Sequence, residues 1–277
     1  MSLKKAVKIL LCVLIVLVVI FIAAPHGKTN YLFIGVDNYG SLNNTGRSDT
    51  ILLVHLDFDH QKVDLVTFAR DLLLDYNTTD TKINTIIRHG GEEALVSTIE
   101  KNFDIDINGW FRLNFSSLVS IIDEIGGVEV ELTDAEAKYI DHSIGKYPTN
   151  PLSEGPCRLN GGQALSYVRC RRLDNDFGRG NRQSKLVKAL IKESRSMGVF
   201  RIMDLYNNMK HAWRSNLTNA EQFRLLFSCI FLRHAEVTRV GIPFEHMYQY
   251  KSSSSGDNGV AIYLEKTVEA LHDAIKF

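Results

Sequence analysis

The chain has 277 residues, of which 45% are hydrophobic and 23% charged, and its 32 basic and 32 acidic side chains give a formal net charge of zero. This length accommodates one substantial domain, and the composition is that of a globular protein with no low-complexity tract. Balanced charge excludes a nucleic-acid binder that relies on a general basic surface.

Lys4, Lys5 and Lys8 precede an uncharged apolar run from Ile9 to Ala24, which Pro25 ends. As a helix this run spans about 24 Å, against about 30 Å of bilayer hydrocarbon. Ala6 and Val7 extend it when Lys8 snorkels to the headgroups. Basic residues before the span keep that end cytoplasmic and place everything after Pro25 outside. A cleaved signal peptide, cut near Ala23 and Ala24, is the competing reading, and the length of the run favours an uncleaved anchor. Residues 1–25 are therefore read as a cytoplasmic stub and transmembrane anchor, and 26–277 as an extracytoplasmic working domain. Cys12 lies in the span. Cys157, Cys170 and Cys229 lie beyond it, with neither CxxC nor zinc spacing. A Cys157–Cys229 or Cys157–Cys170 bridge competes with unpaired thiols.

After a polar tether, His26 to Asn30, the apolar run Tyr31 to Val36 predicts a strand ending at Asp37. Asn38 to Arg47 is a loop. Thr50 to Leu56 and Lys62 to Phe68 predict two further strands joined by a hairpin turn at Asp57 to Gln61. Asp37, Asp49 and the pair Arg70-Asp71 thus fall at strand ends, where open α/β sheets gather ligands. Glu92 to Asn102 predicts a helix, and Asn108 to Leu113 an extended segment. Leu118, Ile121, Ile122 and Ile125 recur at helical spacing before Gly126-Gly127 and a strand from Val128 to Leu132. Thr133 to Pro156 reads as a polar, flexible cover. Asn160-Gly161-Gly162-Gln163 has the form of a capping box for a helix through Tyr167, which delivers Arg169 and Arg171 at its end. A second helix runs from Asn181, so that Arg179, Arg182 and Gln183 lie near a helix N-terminus, where backbone N–H groups favour anions. Val237 to Ile242 predicts a strand, and Ser252 to Gly259 a soft loop before the last helix.

Between Val168 and Gln183 five arginines surround Asp174 and Asp176. Arginine presents a planar fork of donors that matches phosphate oxygens. Upstream carboxylates at Asp37 and Asp49 repel such a substrate unless a divalent cation sits between them, so the pieces point to a pyrophosphate held by arginines and a metal. Taken singly, Asp37 is a turn residue, Arg47-Ser48-Asp49-Thr50 a surface ion pair, and Arg70-Asp71 a strand-end salt bridge. The apolar faces Leu118, Ile121, Ile122, Ile125 and Leu186, Val187, Leu190, Ile191 are core by default. The second set, just after Arg182-Gln183, is the first candidate for a lipid-tail site.

Seven motifs occur in one order: Asn30-Tyr-Leu-Phe-Ile-Gly-Val-Asp37, Gly46-Arg-Ser-Asp-Thr50, Phe68-Ala-Arg-Asp71, Lys82-Ile-Asn84, Gly126-Gly-Val128, Leu159-Asn-Gly-Gly-Gln-Ala-Leu-Ser-Tyr-Val-Arg169 and Asp176-Phe-Gly-Arg-Gly-Asn-Arg-Gln183. In this order the chain resembles LytR-CpsA-Psr proteins from about residue 29 to beyond 195. The resemblance implies a three-layer α/β/α sandwich with a mixed central sheet, preceded by one N-terminal transmembrane helix. It also implies a membrane-bound bacterial phosphotransferase. Such an enzyme moves a glycopolymer (wall teichoic acid, capsule or another wall polysaccharide) from an undecaprenyl-pyrophosphate carrier to peptidoglycan through a phosphodiester.

Carried over by position, Asp37 and Asp49 match aspartates that bind Mg²⁺, with Mn²⁺ as its substitute. Arg47, Arg70, Arg169 and Arg171 match arginines of the phosphate site, while Asp176, Arg179 and Gln183 match further residues of the head-group site, beside which Arg182 stands. Asp176 or Asp71 is the expected proton acceptor. Ala69 replaces a frequent Pro, Val36 a frequent Thr, and Arg172 adds a basic residue. The alternatives are a hydrolase of the same lipid pyrophosphate and a non-catalytic polyprenyl-phosphate-binding regulator.

Overall fold

The computed structural model describes residues 25–37, 42, 46–144, 151–170, 172–173, 176–253, 256 and 258–276. The apolar run before Pro25, Arg171 and the side chain of Asp176 lie outside the described residues. Among those described, no helix is long and apolar enough to cross a membrane.

Strand β1 (Lys28–Val36) alternates as a strand buried on both faces must: Leu32, Ile34 and Val36 point to one side, Tyr31 and Phe33 to the other. It pairs antiparallel with β2 (Ser48–Asp57), which pairs antiparallel with β3 (Lys62–Phe68). A hairpin of β4 (Leu72–Tyr76) and β5 (Thr79–Lys82) leads into α1 (Ile83–Phe103). The helix breaks at Gly91, whose φ of 72° belongs to the left-handed region that suits a residue without Cβ. That break explains why helical periodicity is legible only from Glu92.

Next come β6 (Gly109–Leu113), α2 (Phe115–Glu124), β7 (Val128–Leu132), α3 (Asp134–Ile144), β8 (Gly155–Leu159) and α4 (Gly161–Arg169). The chain continues through α5 (Asp176–Ser196), α6 (Val199–Met209), β9 (Arg214–Ser215), α7 (Asn219–Cys229), β10 (Glu236–Ile242), β11 (Tyr248–Ser252), β12 (Asn258–Ile262) and α8 (Leu264–Ile275).

The main sheet is mixed, in the order β10-β3-β2-β1-β6-β9, with β1/β6 and β3/β10 parallel. One face packs against α1 and α8 through Ile86, Leu95, Ile99, Leu271 and Ile275. The other carries α5 and α7 through Val187, Ile191 and Leu225. The sheet thus lies between two helical layers. A satellite core of Ile122, Val130, Ile140, Leu159, Leu165 and Leu186 joins α2, α3, α4 and α5 to the antiparallel β7/β8 pair.

Three expectations are corrected. Thr133 to Pro156 is not all loop: α3 forms inside it, because Thr133 and Glu136 cap each other reciprocally (3.0 and 3.3 Å) and Ala137 and Ile140 bury one face. The expected loop Ser252 to Gly259 contains the inner ends of the β11/β12 hairpin. Helix α5 begins at Asp176, five residues before the expected Asn181. Cys157, Cys170 and Cys229 are free thiols.

Candidate active site

A cavity of about 570 Å³ opens between the C-terminal ends of β1 and β6, the start of β2, and helices α2, α4 and α5. Its two halves differ in chemistry. The mouth is lined by Asp37, Asp49, Thr50, Asn114, Arg169, Arg179 and Gln183. The interior is lined by Phe33, Leu52, Val54, Leu113, Phe115, Leu118, Ile121, Val187 and Leu190.

Strand alternation and helix periodicity produce this division. Thr50, Leu52 and Val54 share one face of β2, so successive inward positions run from polar to apolar. On α5, Arg179, Gln183, Val187 and Leu190 recur at intervals of four, four and three and form one stripe with the same gradient. Two of the four proposed tail residues, Val187 and Leu190, line the cavity, whereas Leu186 belongs to the satellite core and Ile191 packs on the sheet. On α2, Leu118 and Ile121 line it while Ile122 is core.

The charged residues are held in place by one another. The Asp37 N–H donates to the Arg47 carbonyl (3.3 Å), and the Arg47 N–H donates to Asp37 Oδ1 (2.9 Å), closing the loop between β1 and β2. Arg47 itself is exposed at the rim. Arg70 donates from Nη1 to Asp49 Oδ1 and from Nε to Asp71 Oδ2, each at 3.2 Å. Lys82 Nζ lies 3.7 Å from Asp71 Oδ1, so each Asp71 oxygen faces a cation. The Lys82-Ile-Asn84 motif finds its use here: Lys82 pairs with Asp71, and the Asn84 N–H donates to the Arg70 carbonyl at 3.2 Å. Arg70 and Asp71 do not line the cavity; they adjoin it through Asp49.

Gly35 sits opposite Thr50 across the β1/β2 pair, and a Cβ there would come within 3.0 Å of Thr50 Cβ. The space leaves Thr50 Oγ1 positioned to accept from Gln183 Nε2 at 2.9 Å, which ties α5 to the sheet.

Helix α4 starts where its capping box predicts, with Asn160 and Gln163 capping reciprocally at 2.9 Å, and it runs through Arg169, two residues past the expected Tyr167. The Arg169 guanidinium lies 4.4 Å from the centre of the Phe115 ring, a cation–π contact that orients it across the mouth. Arg179 is 5% exposed, a buried guanidinium at the same mouth. Arg182 points elsewhere. Its Nη2 donates to the Cys170 carbonyl (2.7 Å) and its Nη1 lies 3.7 Å from Glu136 Oε1, bracing the end of α4 against α3.

Asp37, Asp49, Arg169, Arg179 and Gln183 are therefore brought to one cavity, with Arg47 and Arg70 attached through the two aspartates. Sequence reading missed Thr50, Asn114 and Phe115 as site residues. Asn114 had a legible signal: Asn followed by Phe-Ser-Ser is a helix N-cap pattern, and its Oδ1 accepts from the Ser117 N–H at 2.8 Å. Asp37 and Asp49 form no three-ligand metal cluster with other described side chains. Two carboxylates beside a phosphate-type mouth nevertheless suit Mg²⁺, which keeps waters and takes its remaining ligands from substrate phosphates.

The family model described as LytR_cpsA_psr matches residues 17–273. Among similar proteins is polyisoprenyl-teichoic acid–peptidoglycan teichoic acid transferase TagV of Bacillus subtilis, 33% identical over 168 residues, 58% of this chain and 42% of TagV. The transferase TagU of Bacillus cereus is 31% identical over 69% of this chain and 61% of its own length. These alignments thus span less than two thirds of either relative. Similar solved structures include TagT bound to LIIa-WTA (TM-score 0.73, 22% identity, 91% of this chain and 92% of that one). TagT with bound octaprenyl pyrophosphate lipid superposes with a TM-score of 0.68 at 21% identity, over 91% of each chain. Together with the order of motifs and the mixed α/β fold, the match over nearly the whole chain makes this protein a member of the LytR-CpsA-Psr family.

Proposed function

We propose that the protein transfers a glycopolymer from a polyprenyl-pyrophosphate carrier to peptidoglycan, forming a phosphodiester and releasing the polyprenyl phosphate. The observation that carries this reading is the cavity itself. One continuous space has a mouth of arginines and aspartates and an apolar interior, which suits an amphiphile with a multiply charged head and a long hydrocarbon tail. The family relatives named as teichoic acid transferases, and the TagT structure with a bound octaprenyl pyrophosphate, support the same reading.

In this mechanism Arg169 and Arg179 bind the pyrophosphate oxygens from α4 and α5, with Arg47, Arg70 and Arg171 completing the set. Gln183 holds α5 against β2 through Thr50, which keeps Arg179 in register with the mouth. Asp37 and Asp49 are the residues that would hold Mg²⁺, or Mn²⁺ in its place, whose chemistry when bound is to neutralise pyrophosphate charge. The acceptor hydroxyl oxygen forms a bond to the phosphorus that carries the glycan, and the bond from that phosphorus to the bridging oxygen breaks. The electron pair leaves on the polyprenyl phosphate, while the hydroxyl proton goes to a carboxylate. Asp71, held between Arg70 and Lys82, positions Arg70. Asp176, the first residue of α5, is the carboxylate assigned to the proton. Preorganised guanidinium groups at a mouth backed by apolar walls lower the barrier by stabilising charge that develops on the leaving oxygen. In this reading residues 1–25 anchor the chain in the membrane and residues 26–277 act outside the cytoplasm, where both substrates are found.

The test is a transfer assay on the full chain with a synthetic polyprenyl-pyrophosphate glycan, a peptidoglycan oligomer and Mg²⁺, comparing wild type with Asp49→Ala and Arg179→Ala. Removing one preorganised charge of this kind lowers turnover by about 10²–10³. Free phosphate without polymer joined to peptidoglycan would replace the ligase with a hydrolase. Tight lipid binding without turnover would replace it with a binding module.

A further inference from the structure

Helix α5 has a second functional face. Directly behind the stripe that lines the cavity, a recess of about 310 Å³ lies between α5, Glu136 of α3 and Arg239 of β10. At about 100° per residue, Lys185 and Lys188 fall on the side of α5 opposite Gln183 and Leu190, so one helix width, about 10–12 Å, separates the two spaces. At the first turns of α5, Gly178 borders the recess and Arg179 borders the mouth.

Among the described residues the recess holds four cations (Arg182, Lys185, Lys188 and Arg239) against one carboxylate, Glu136, which already faces Arg182 at 3.7 Å. Among the described residues Lys185, Lys188 and Arg239 have no carboxylate within ion-pair distance. Elsewhere in this charge-balanced chain lysines are commonly matched: Lys82 with Asp71, Lys101 with Asp75, Lys138 with Asp134 and Lys192 with Glu129. Arg239 donates to Asn181 Oδ1, yet its Nε is enclosed with no hydrogen-bond partner among the described residues. Burial lowers its pKa, the mark of a guanidinium that has lost water without gaining a counter-ion. Ser184, 2% exposed, also borders the recess with an enclosed Oγ that has no hydrogen-bond partner among the described residues. A buried hydroxyl and a desolvated arginine beside two unmatched lysines are donors without an acceptor, and a phosphate oxygen satisfies both kinds.

We propose that this recess is a second anion site, which holds a phosphodiester of the glycopolymer beyond the pyrophosphate as the polymer passes over the first turn of α5. The proposal rests on the transferase reading for the identity of the ligand, and on the recess alone for its charge. It gives the enzyme a means of preferring a donor whose glycan carries phosphate over one whose glycan is neutral.

The experiment uses the full chain in lipid nanodiscs and a short glycerol phosphate oligomer as probe, with affinity read by calorimetry. Wild type binds the oligomer, and a neutral glycan of equal length does not bind. Lys185→Ala/Lys188→Ala, at exposed positions outside the mouth, weakens binding about tenfold. Absence of binding, or an unchanged affinity in the double variant, would each overturn the site. A peptidoglycan fragment that binds at the recess in place of the oligomer would overturn it in favour of an acceptor subsite. Oligomer binding with no transfer would defeat the transferase reading and leave the anion site standing; transfer with no oligomer binding would do the reverse.

Discussion

The volume of the cavity sets a length for the tail it can hold. A small group occupies about 30 Å³ of liquid, so about 570 Å³ admits roughly nineteen carbon-sized groups, or roughly four isoprene units. The charged mouth takes a share of this space. At about 0.3 kcal/mol per non-hydrogen atom, one five-carbon unit contributes about 1.5 kcal/mol, or about tenfold in affinity. A series of polyprenyl pyrophosphates lengthened one unit at a time should therefore gain about tenfold per unit and level off near the fourth. Val187→Trp and Leu118→Trp narrow the interior and should bring the plateau to shorter tails while leaving inorganic pyrophosphate binding unchanged. Competition calorimetry against a fluorescent lipid reads both. Affinity independent of tail length, or rising without a break to twice that length, would refute the assignment of the interior to the tail.

Three further outcomes follow from packing and charge. Arg112 is 2% exposed and donates to Glu92 at 2.6 Å beneath β6, so Arg112→Met should destabilise by about 3–5 kcal/mol in urea unfolding. The double change with Glu92→Leu should recover much of that; a single-variant cost below about 1 kcal/mol would show that the buried pair is not coupled. A Cβ at Gly161 would lie 2.3 Å from the Val119 carbonyl oxygen, so Gly161→Ala should force α4 from α2 and cost about 1–3 kcal/mol, read as a lower Tm; an unchanged Tm contradicts this packing.

His55 is fully buried with Nδ1 2.7 Å from Asn30 Oδ1, and burial lowers its pKa below the ordinary value. The unfolded chain then binds this proton more readily than the folded one. Its contribution is fully present above about pH 6.5 and is lost as pH falls from there towards the lower folded value. His55→Gln should flatten stability between pH 7 and the acid limb, and an unchanged slope would remove His55 as the cause.

Local patterns carried much of this in one dimension. The alternation in β1, β2 and β3, the capping box at Asn160, and the glycine pair after α2 are short-range signals, because strand and helix periods are set by the backbone itself. The residues of the mouth were legible by type for a related reason: arginines and aspartates serve a pyrophosphate wherever the chain places them. The β4/β5 and β11/β12 hairpins were not legible, since β12 gains its parallel partner β4 from nearly two hundred residues away in the chain.

Determined by the sequence alone, then, were the family, the strand-end position of Asp37 and Asp49, and the guanidinium-rich segment that meets them. Only the tertiary structure decided which side of each helix serves which purpose. Leu118 and Ile122 are alike in sequence, yet one borders the cavity and the other the satellite core. Arg179 and Arg182 stand three residues apart, yet one faces the mouth and the other braces Cys170 and Glu136. The physical reason is that a dry core and a lipid tunnel need the same side chains, as do a phosphate site and a buried brace. Only the packing of α2, α4 and α5 against the sheet determines where space remains.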